Sequence, residues 1–241
     1  MIANTLNHTR RWLKTSPHPI ARGGLETLRR LRGFEVPAPA ILFAPVYYLH
    51  RTIATLFAWC ARVFYWTPLF RSRVANAGRC LYLYGGMPFL SGPLRIRIGE
   101  RCRISGQSTF SGRTSGNKLP RLLVGDNVDI GWMTTIAVGS EVRIGNNVRI
   151  AGRAFLAGYP GHPIDAADRA AGLPDTDDQI GDIVIEDDAW IATGVTILPG
   201  VRIGRRSIIA AGSVVSKSIP DDVLAGGVPA RPLKQLNREE S

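Results

Sequence analysis

The sequence predicts a mainly β chain, a solenoid of parallel strands preceded by a basic and apolar helical segment. Three observations predict it. Written in sixes, residues 185 to 214 read IEDDAW, IATGVT, ILPGVR, IGRRSI and IAAGSV, so that Ile185, Ile191, Ile197, Ile203, Ile209 and then Val215 recur with a fixed period of six. An α-helix returns an apolar residue every 3.6 positions and a flat strand every two; a strict six with one branched aliphatic per unit is one side of a coil. The position after the aliphatic is often small (Ala192, Gly204, Ala210), and the turn formers Thr193-Gly194 and Pro199-Gly200 fall at the corners. Three such sides make a coil of about 18 residues, with neighbouring coils paired as parallel strands about 4.8 Å apart.

Taken from the N-terminus, residues 1–36 are polar and basic. The stretch LETLRRLRGF can form a short helix with Leu25, Leu28 and Leu31 on one side, and the first twenty residues are expected to be disordered. From Pro37 to Phe70 the chain is strongly apolar but interrupted by Pro45, His50, Arg51 and Arg62. A spanning helix needs about 20 apolar residues. The interrupted runs therefore predict one or two helices lying in a membrane interface, with Trp and Tyr at headgroup depth, or packing as a cap. Residues 71–93 are a lead-in with short strands, and Leu94 opens the solenoid.

Within the solenoid Leu94, Ile98 and Ile104 serve the first, less regular coils. Val124, Ile130 and Ile136 keep the period; after a slip of two residues Ile144, Ile150, Leu156 and His162 continue it, which places His162 at an inward position. The segment from Gly158 to Asp182 has lost the period and is rich in Gly, Pro and Asp, an insertion loop of the kind that carries function on a rigid scaffold. Five to six coils follow from the length. Pro220, Gly226, Gly227, Pro229 and Pro232 end the winding, and NREES is a loose tail. The expected division is an extension over 1–93 and a coil domain over 94–241, with the loop 158–182 and a C-terminal tail.

The formal net charge of +11 is unevenly placed: residues 1–121 hold 19 Lys/Arg against 3 Asp/Glu, and residues 122–241 hold 11 against 16. No nucleic-acid-binding motif accompanies the basic half, and its aromatics cluster with aliphatics, which favours an anionic membrane surface over nucleic acid. Cys60, Cys80 and Cys102 lack metal-ligand spacing, consistent with reduced thiols in a cytoplasmic setting. No signal-peptide apolar core is present in the first twenty residues.

His162 is the only histidine after His50, flanked by Gly161 and Pro163 where the coil gives way to the loop; a neutral imidazole there can accept a proton near pH 7. No convergent set of metal ligands accompanies it, so no metal is expected. Asp175, Asp177 and Asp178 read as a solvated loop cluster. Nucleophile-elbow, phosphate-loop and dinucleotide signatures are absent.

GHPIDAADRAAG, IEDDAWIATGVTILPGVRIG, IIAAGSVVSKSIPDD and GGVPARPLK together resemble the hexapeptide-repeat acyltransferases, above all the maltose, galactoside and nodulation-type sugar O-acetyltransferases, over residues 124–234. That resemblance implies a left-handed parallel β-helix, against the usual right-handed crossover, a homotrimer with active sites between subunits, and acetyl-CoA as donor. It implies His162 as general base, Trp190 beside the acceptor pocket, and Thr193, Ala211, Ser216 and Lys217 along the CoA arm. Arg231 and Lys234 then meet its nucleotide end, and an N–H at the Thr193-Gly194 corner, assigned to Gly194, meets the oxyanion. Where those enzymes bind free sugar with Asn and Asp, this chain aligns Gly131 and Gly139. The function expected is CoA-dependent O-acyl transfer to a sugar hydroxyl of an envelope or exopolysaccharide intermediate at the inner membrane face. The alternatives are a serine- or antibiotic-type O-acetyltransferase and a non-catalytic trimeric scaffold.

Overall fold

In the computed structural model, residues 2–236 are described; the NREES tail lies outside them. Residues up to Ala54 and residues from Thr55 form two compact units.

In the first unit α1 (Ile2–Thr15) and α2 (Pro19–Arg32) form a hairpin. The expected disorder of the first twenty residues is thus corrected: α2 has Pro19 in its first turn and His18 as N-cap, its Nδ1 accepting from the Ile20 N–H at 3.3 Å. Leu13, Leu25 and Leu28 give the two helices apolar surface to share, rimmed by Arg10, Lys14, Arg29 and Arg32.

The apolar segment is one continuous helical run, Ala40–Arg73. It comprises α3 (Ala40–Ala61), a π-helical turn (Arg62–Trp66) and α4 (Thr67–Arg73). By length and composition it is long enough to cross a membrane, which corrects the reading of its interrupted runs as too short to span. Pro45 lies inside α3, in its second turn, where it removes the hydrogen bond to the Ile41 carbonyl. No residue of α3 is buried. Phe70 of α4, by contrast, is fully buried in the coil core, and the Arg71 guanidinium donates to the Ala77 and Gly78 carbonyls at 2.8 and 2.7 Å.

Six coils follow, each laying one strand on each of three parallel sheets. The first holds β1 (Asn76–Ala77), β2 (Tyr82–Tyr84) and β3 (Phe89–Ser91); the second β4 (Arg95–Ile98), β5 (Arg103–Ser105) and β6 (Thr109–Gly112). In the third lie β7 (Arg121–Val124), β8 (Asp129–Ile130) and β9 (Thr135–Val138), and in the fourth β10 (Glu141–Ile144), β11 (Arg149–Ile150) and β12 (Phe155–Ala157). After the long loop come β13 (Ile183–Ile185), β14 (Trp190–Ile191) and β15 (Thr196–Ile197), then β16 (Arg202–Ile203), β17 (Ile208–Ile209) and β18 (Val214–Val215). Finally β19 (Val223–Gly227) continues the second sheet and β20 (Ala230–Gln235) turns back antiparallel on it. The winding starts at Asn76, a full coil before Leu94, because Ala77, Leu83 and Leu90 already stack on Ile98, Ile104 and Phe110.

Every periodic aliphatic from Ile185 to Val215 is buried. Each side also turns a second residue inward, two positions earlier: Ala189, Val195, Val201, Ser207 and Ser213 are buried too. Corners demand a left-handed residue, supplied by Asn127, Asn147 and Asp188 on one edge and by Gly194 and Gly212 on the next. Side chains at the first edge form a ladder, Asn127 Nδ2 donating to Asn147 Oδ1 and Asn147 Nδ2 to Asp188 Oδ1, both at 2.9 Å. At that edge Gly145 has no room for a Cβ, which would lie 2.4 Å from Asp187 Oδ1.

Candidate active site

Two excursions leave the same edge of the coil: 113–120 after β6 and 158–182 after β12. The second carries a short helix, α5 (Ala166–Ala170), N-capped by Asp165, whose carboxylate accepts from the Ala167 and Asp168 N–H groups. Asp182 fastens its far end, accepting from Ser140 Oγ and, at 2.9 Å, from the Glu141 N–H. Together the two excursions enclose a cleft of about 390 Å³ whose lining includes Ser91, Thr114, Tyr159, His162 and Arg169.

His162 is exposed, not inward; the next residue, Pro163, is buried instead. The register ends at Leu156 because the chain leaves the third sheet there, so the extrapolated inward position does not exist. The His162 backbone is held on both sides: the Gly161 N–H donates to Asp175 Oδ2 at 3.1 Å, and Gln179 Nε2 donates to the His162 carbonyl at 3.2 Å.

Asp175 corrects the expectation of a solvated acidic cluster, since it is only 4% exposed. Arg113, equally buried, donates through Nε to Asp175 Oδ1 at 2.6 Å, through Nη2 to the Asp175 carbonyl at 2.8 Å and through Nη1 to Asp177. Ser115 Oγ adds a bond to Asp175 Oδ1 at 2.8 Å. Burial alone pushes the Asp175 carboxyl up, but hydrogen bonds from Arg113 and Ser115, the Arg113 charge and the Gly161 N–H outweigh it and hold it below the ordinary carboxylate range. A carboxylate with a lowered folded value contributes stability above its unfolded value, about 3.9, and loses it as pH falls through the lowered one. Asp175→Asn is therefore expected to cost about 3–5 kcal/mol at neutral pH, as for breaking a buried pair. That difference should be constant down to about pH 4 and shrink below it in denaturant titrations; a gap unchanged at pH 2 would refute the clamp.

The other expected residues lie elsewhere on the chain. Trp190 is half exposed on the outer face of the second sheet, in register with Arg149 and Ile208. Thr193 and Ala211 are exposed at one corner in successive coils, where the Gly212 N–H donates to the Thr193 carbonyl at 2.9 Å. Ser216 and Lys217 are exposed just past β18, at the far end of the third sheet, and Arg231 and Lys234 on β20. The structure thus gathers Thr193 and Ala211 but places none of these residues in the cleft with His162. Gly194 fails as an oxyanion donor within the chain, because its N–H already donates to the Gly152 carbonyl at 3.1 Å. Gly131 and Gly139 are closed to any side chain, with a Cβ 2.7 Å from Gly152 N and 2.4 Å from Gly158 O.

Arg113, Ser115 and Tyr159 were not singled out by the sequence; the available signal was the second loss of period at 113–120. Residues 182–217 match the family model described as bacterial transferase hexapeptide (six repeats). The six-residue period of the coil is thus the hexapeptide repeat of that family over residues 182–217. Its winding is the left-handed parallel β-helix of that family. It is 36% identical over 143 residues to galactoside O-acetyltransferase from Lactococcus lactis, covering 58% of this chain and 63% of that one. The Escherichia coli galactoside O-acetyltransferase is 39% identical over 118 residues, covering 47% and 54%. The chain thus spans little more than half the length of these curated relatives. Among solved structures it resembles the N-acyltransferase AntD from Bacillus cereus, with a TM-score of 0.58 and 20% identity over 72% of this chain and 90% of that chain.

Proposed function

We propose that this hexapeptide-repeat protein is a CoA-dependent O-acyltransferase that moves an acetyl group from acetyl-CoA to a sugar hydroxyl, with His162 as general base. The observation that carries the reading is the presentation of His162 on a cleft with the backbone fixed at Gly161 N and at its own carbonyl. An alcohol is a weak nucleophile near neutral pH, so the imidazole takes the hydroxyl proton as the oxygen attacks the thioester carbon. The tetrahedral oxyanion collapses, the C–S bond breaks, and the imidazolium returns the proton to the CoA sulfur. Galactoside O-acetyltransferase relatives support a sugar acceptor.

Thr193, Ala211, Ser216, Lys217, Arg231 and Lys234 form the donor side of the reading, with Trp190 beside the acceptor pocket. Their separation from the His162 cleft within one chain supports a site completed by a second copy, hence a homotrimer. Thiol release from acetyl-CoA across a panel of sugars tests the reaction, and light scattering on the active species tests the assembly. We expect turnover with at least one sugar by a trimer; an active monomer would overturn the shared site, and no binding of acetyl-CoA by calorimetry would overturn the enzyme. α3, none of whose residues is buried, seats, in the same reading, on an anionic membrane surface at its cytoplasmic face.

A further inference from the structure

Of the groups around the cleft, one buried charge has no part in the reaction as written. Arg113 sits on the shorter excursion, 4% exposed, with all three guanidinium nitrogens donating to the far limb of the longer loop: to the Asp175 carboxylate, the Asp175 carbonyl and the Asp177 carboxylate. That far limb holds the His162 backbone on both sides, while Arg169 of the loop's short helix holds the Pro163 and Ile164 carbonyls that follow. Asp175 takes the Gly161 N–H through its second oxygen, and Gln179, whose Oε1 accepts from the Thr176 N–H and Oγ1 at 3.0 Å, takes the His162 carbonyl. On the near limb Tyr159 Oη reaches Ser111 Oγ at 3.1 Å, fixing the start of the loop to the second coil.

We infer that Arg113 is the positioning residue of this site: it sets where the His162 imidazole stands by anchoring the 175–179 limb to the neighbouring excursion. The inference rests on His162 being the base. The physical argument is that a loop of this length, rich in Gly, Pro and Asp, has no periodic packing of its own, and its one deeply buried polar anchor is this ion pair. A planar guanidinium reaches the carboxylate, the carbonyl and the second carboxylate at once through three nitrogens, whereas the single ammonium nitrogen of lysine cannot span all three. Arg113→Lys should therefore keep the charge and lose the position.

Two readouts separate positioning from mere stability. His162 is one of four histidines, so its Cε1–H resonance is assigned by comparison with His162→Ala and then followed in the full chain carrying Arg113→Lys or Arg113→Ala. Expected is a shifted or broadened His162 line with the other histidines unmoved. In thiol release with a sugar that the panel shows to be turned over, kcat should fall about 10- to 100-fold, the scale of an ångström misplacement, with acetyl-CoA affinity within about twofold because the donor residues lie elsewhere. Added guanidinium chloride at millimolar concentration should restore kcat to Arg113→Ala in part, but not to Arg113→Lys. An unmoved His162 line in both variants overturns the inference, whatever kcat does; so does a fall confined to KM or to donor affinity. If Arg113→Ala does not fold, Arg113→Lys and Asp175→Asn give the same two readouts. Should His162→Ala turn over normally, the base assignment falls instead, while the resonance still reports whether Arg113 places the loop.

Discussion

Replacing His162 by alanine is expected to lower kcat about 10²- to 10⁴-fold, the range that a positioned general base contributes, while leaving the fold and acetyl-CoA affinity nearly unchanged. The fold is spared because the imidazole is exposed and the residue is held by its neighbours through backbone atoms only. Donor affinity is spared because the residues assigned to CoA lie on the corner of the fifth and sixth coils, past β18 and on β20, away from the cleft. Thiol release measured beside calorimetric titration of acetyl-CoA separates the two effects. If the variant keeps more than about a tenth of wild-type kcat, proton transfer is not what His162 does. A large loss of donor affinity with kcat intact would instead make it part of the CoA groove.

The period of six was legible because a coil repeats its geometry on every side, so one aliphatic per turn of the pattern marks the interior without reference to distant residues. The second inward position escaped notice because it accepts Ala, Val or Ser alike, as at Ala189, Val195 and Ser213. The first coil was hidden by one extra residue: Ala77 and Leu83 keep the six, Leu90 comes one later, and its partner Phe110 shows the true register. His162 was found as a chemical group, from its isolation and its neighbours, but misplaced by running the period one unit beyond Leu156. Arg113 and Asp175 lie 62 residues apart. No local pattern announces such a pair, and an acidic loop reads as solvated until its partner is seen. The gap between a legible scaffold and a less legible site has one cause: the coil repeats its inward aliphatic every six residues, whereas the cleft is made by two loops that abandon the period.

Full-length protein is expected to sediment with vesicles containing anionic lipid and to lose that binding when Leu49 and Ile53 are both replaced by aspartate. Leu42, Val46, Leu49, Ile53, Leu56 and Cys60 recur at intervals of four and three along α3 and form an apolar stripe, with Arg51 and Thr55 on the opposite side. Leu49 and Ile53 are both exposed. Burying each in a membrane interface contributes about 1.5–3 kcal/mol, so removing both should weaken partitioning at least about 100-fold before the cost of two added charges. Residues 1–93 hold 12 Lys/Arg against 2 Asp/Glu, each basic residue near an anionic surface contributing about 1 kcal/mol. That contribution fades as the screening length falls from about 10 Å at 0.1 M salt to about 3 Å at 1 M, whereas the apolar stripe is indifferent to salt. High salt should thus release the wild-type chain only in part, and removal of residues 2–39 should imitate high salt. The same helix is long enough to span, about 51 Å at 1.5 Å per residue, but spanning would place Arg51 near mid-bilayer at a cost of about 2.5–3.5 kcal/mol on insertion scales. The interfacial seat therefore predicts extraction by alkaline carbonate. Resistance to carbonate would mean that the helix crosses, and failure to sediment at low salt would mean that the stripe is covered by protein instead.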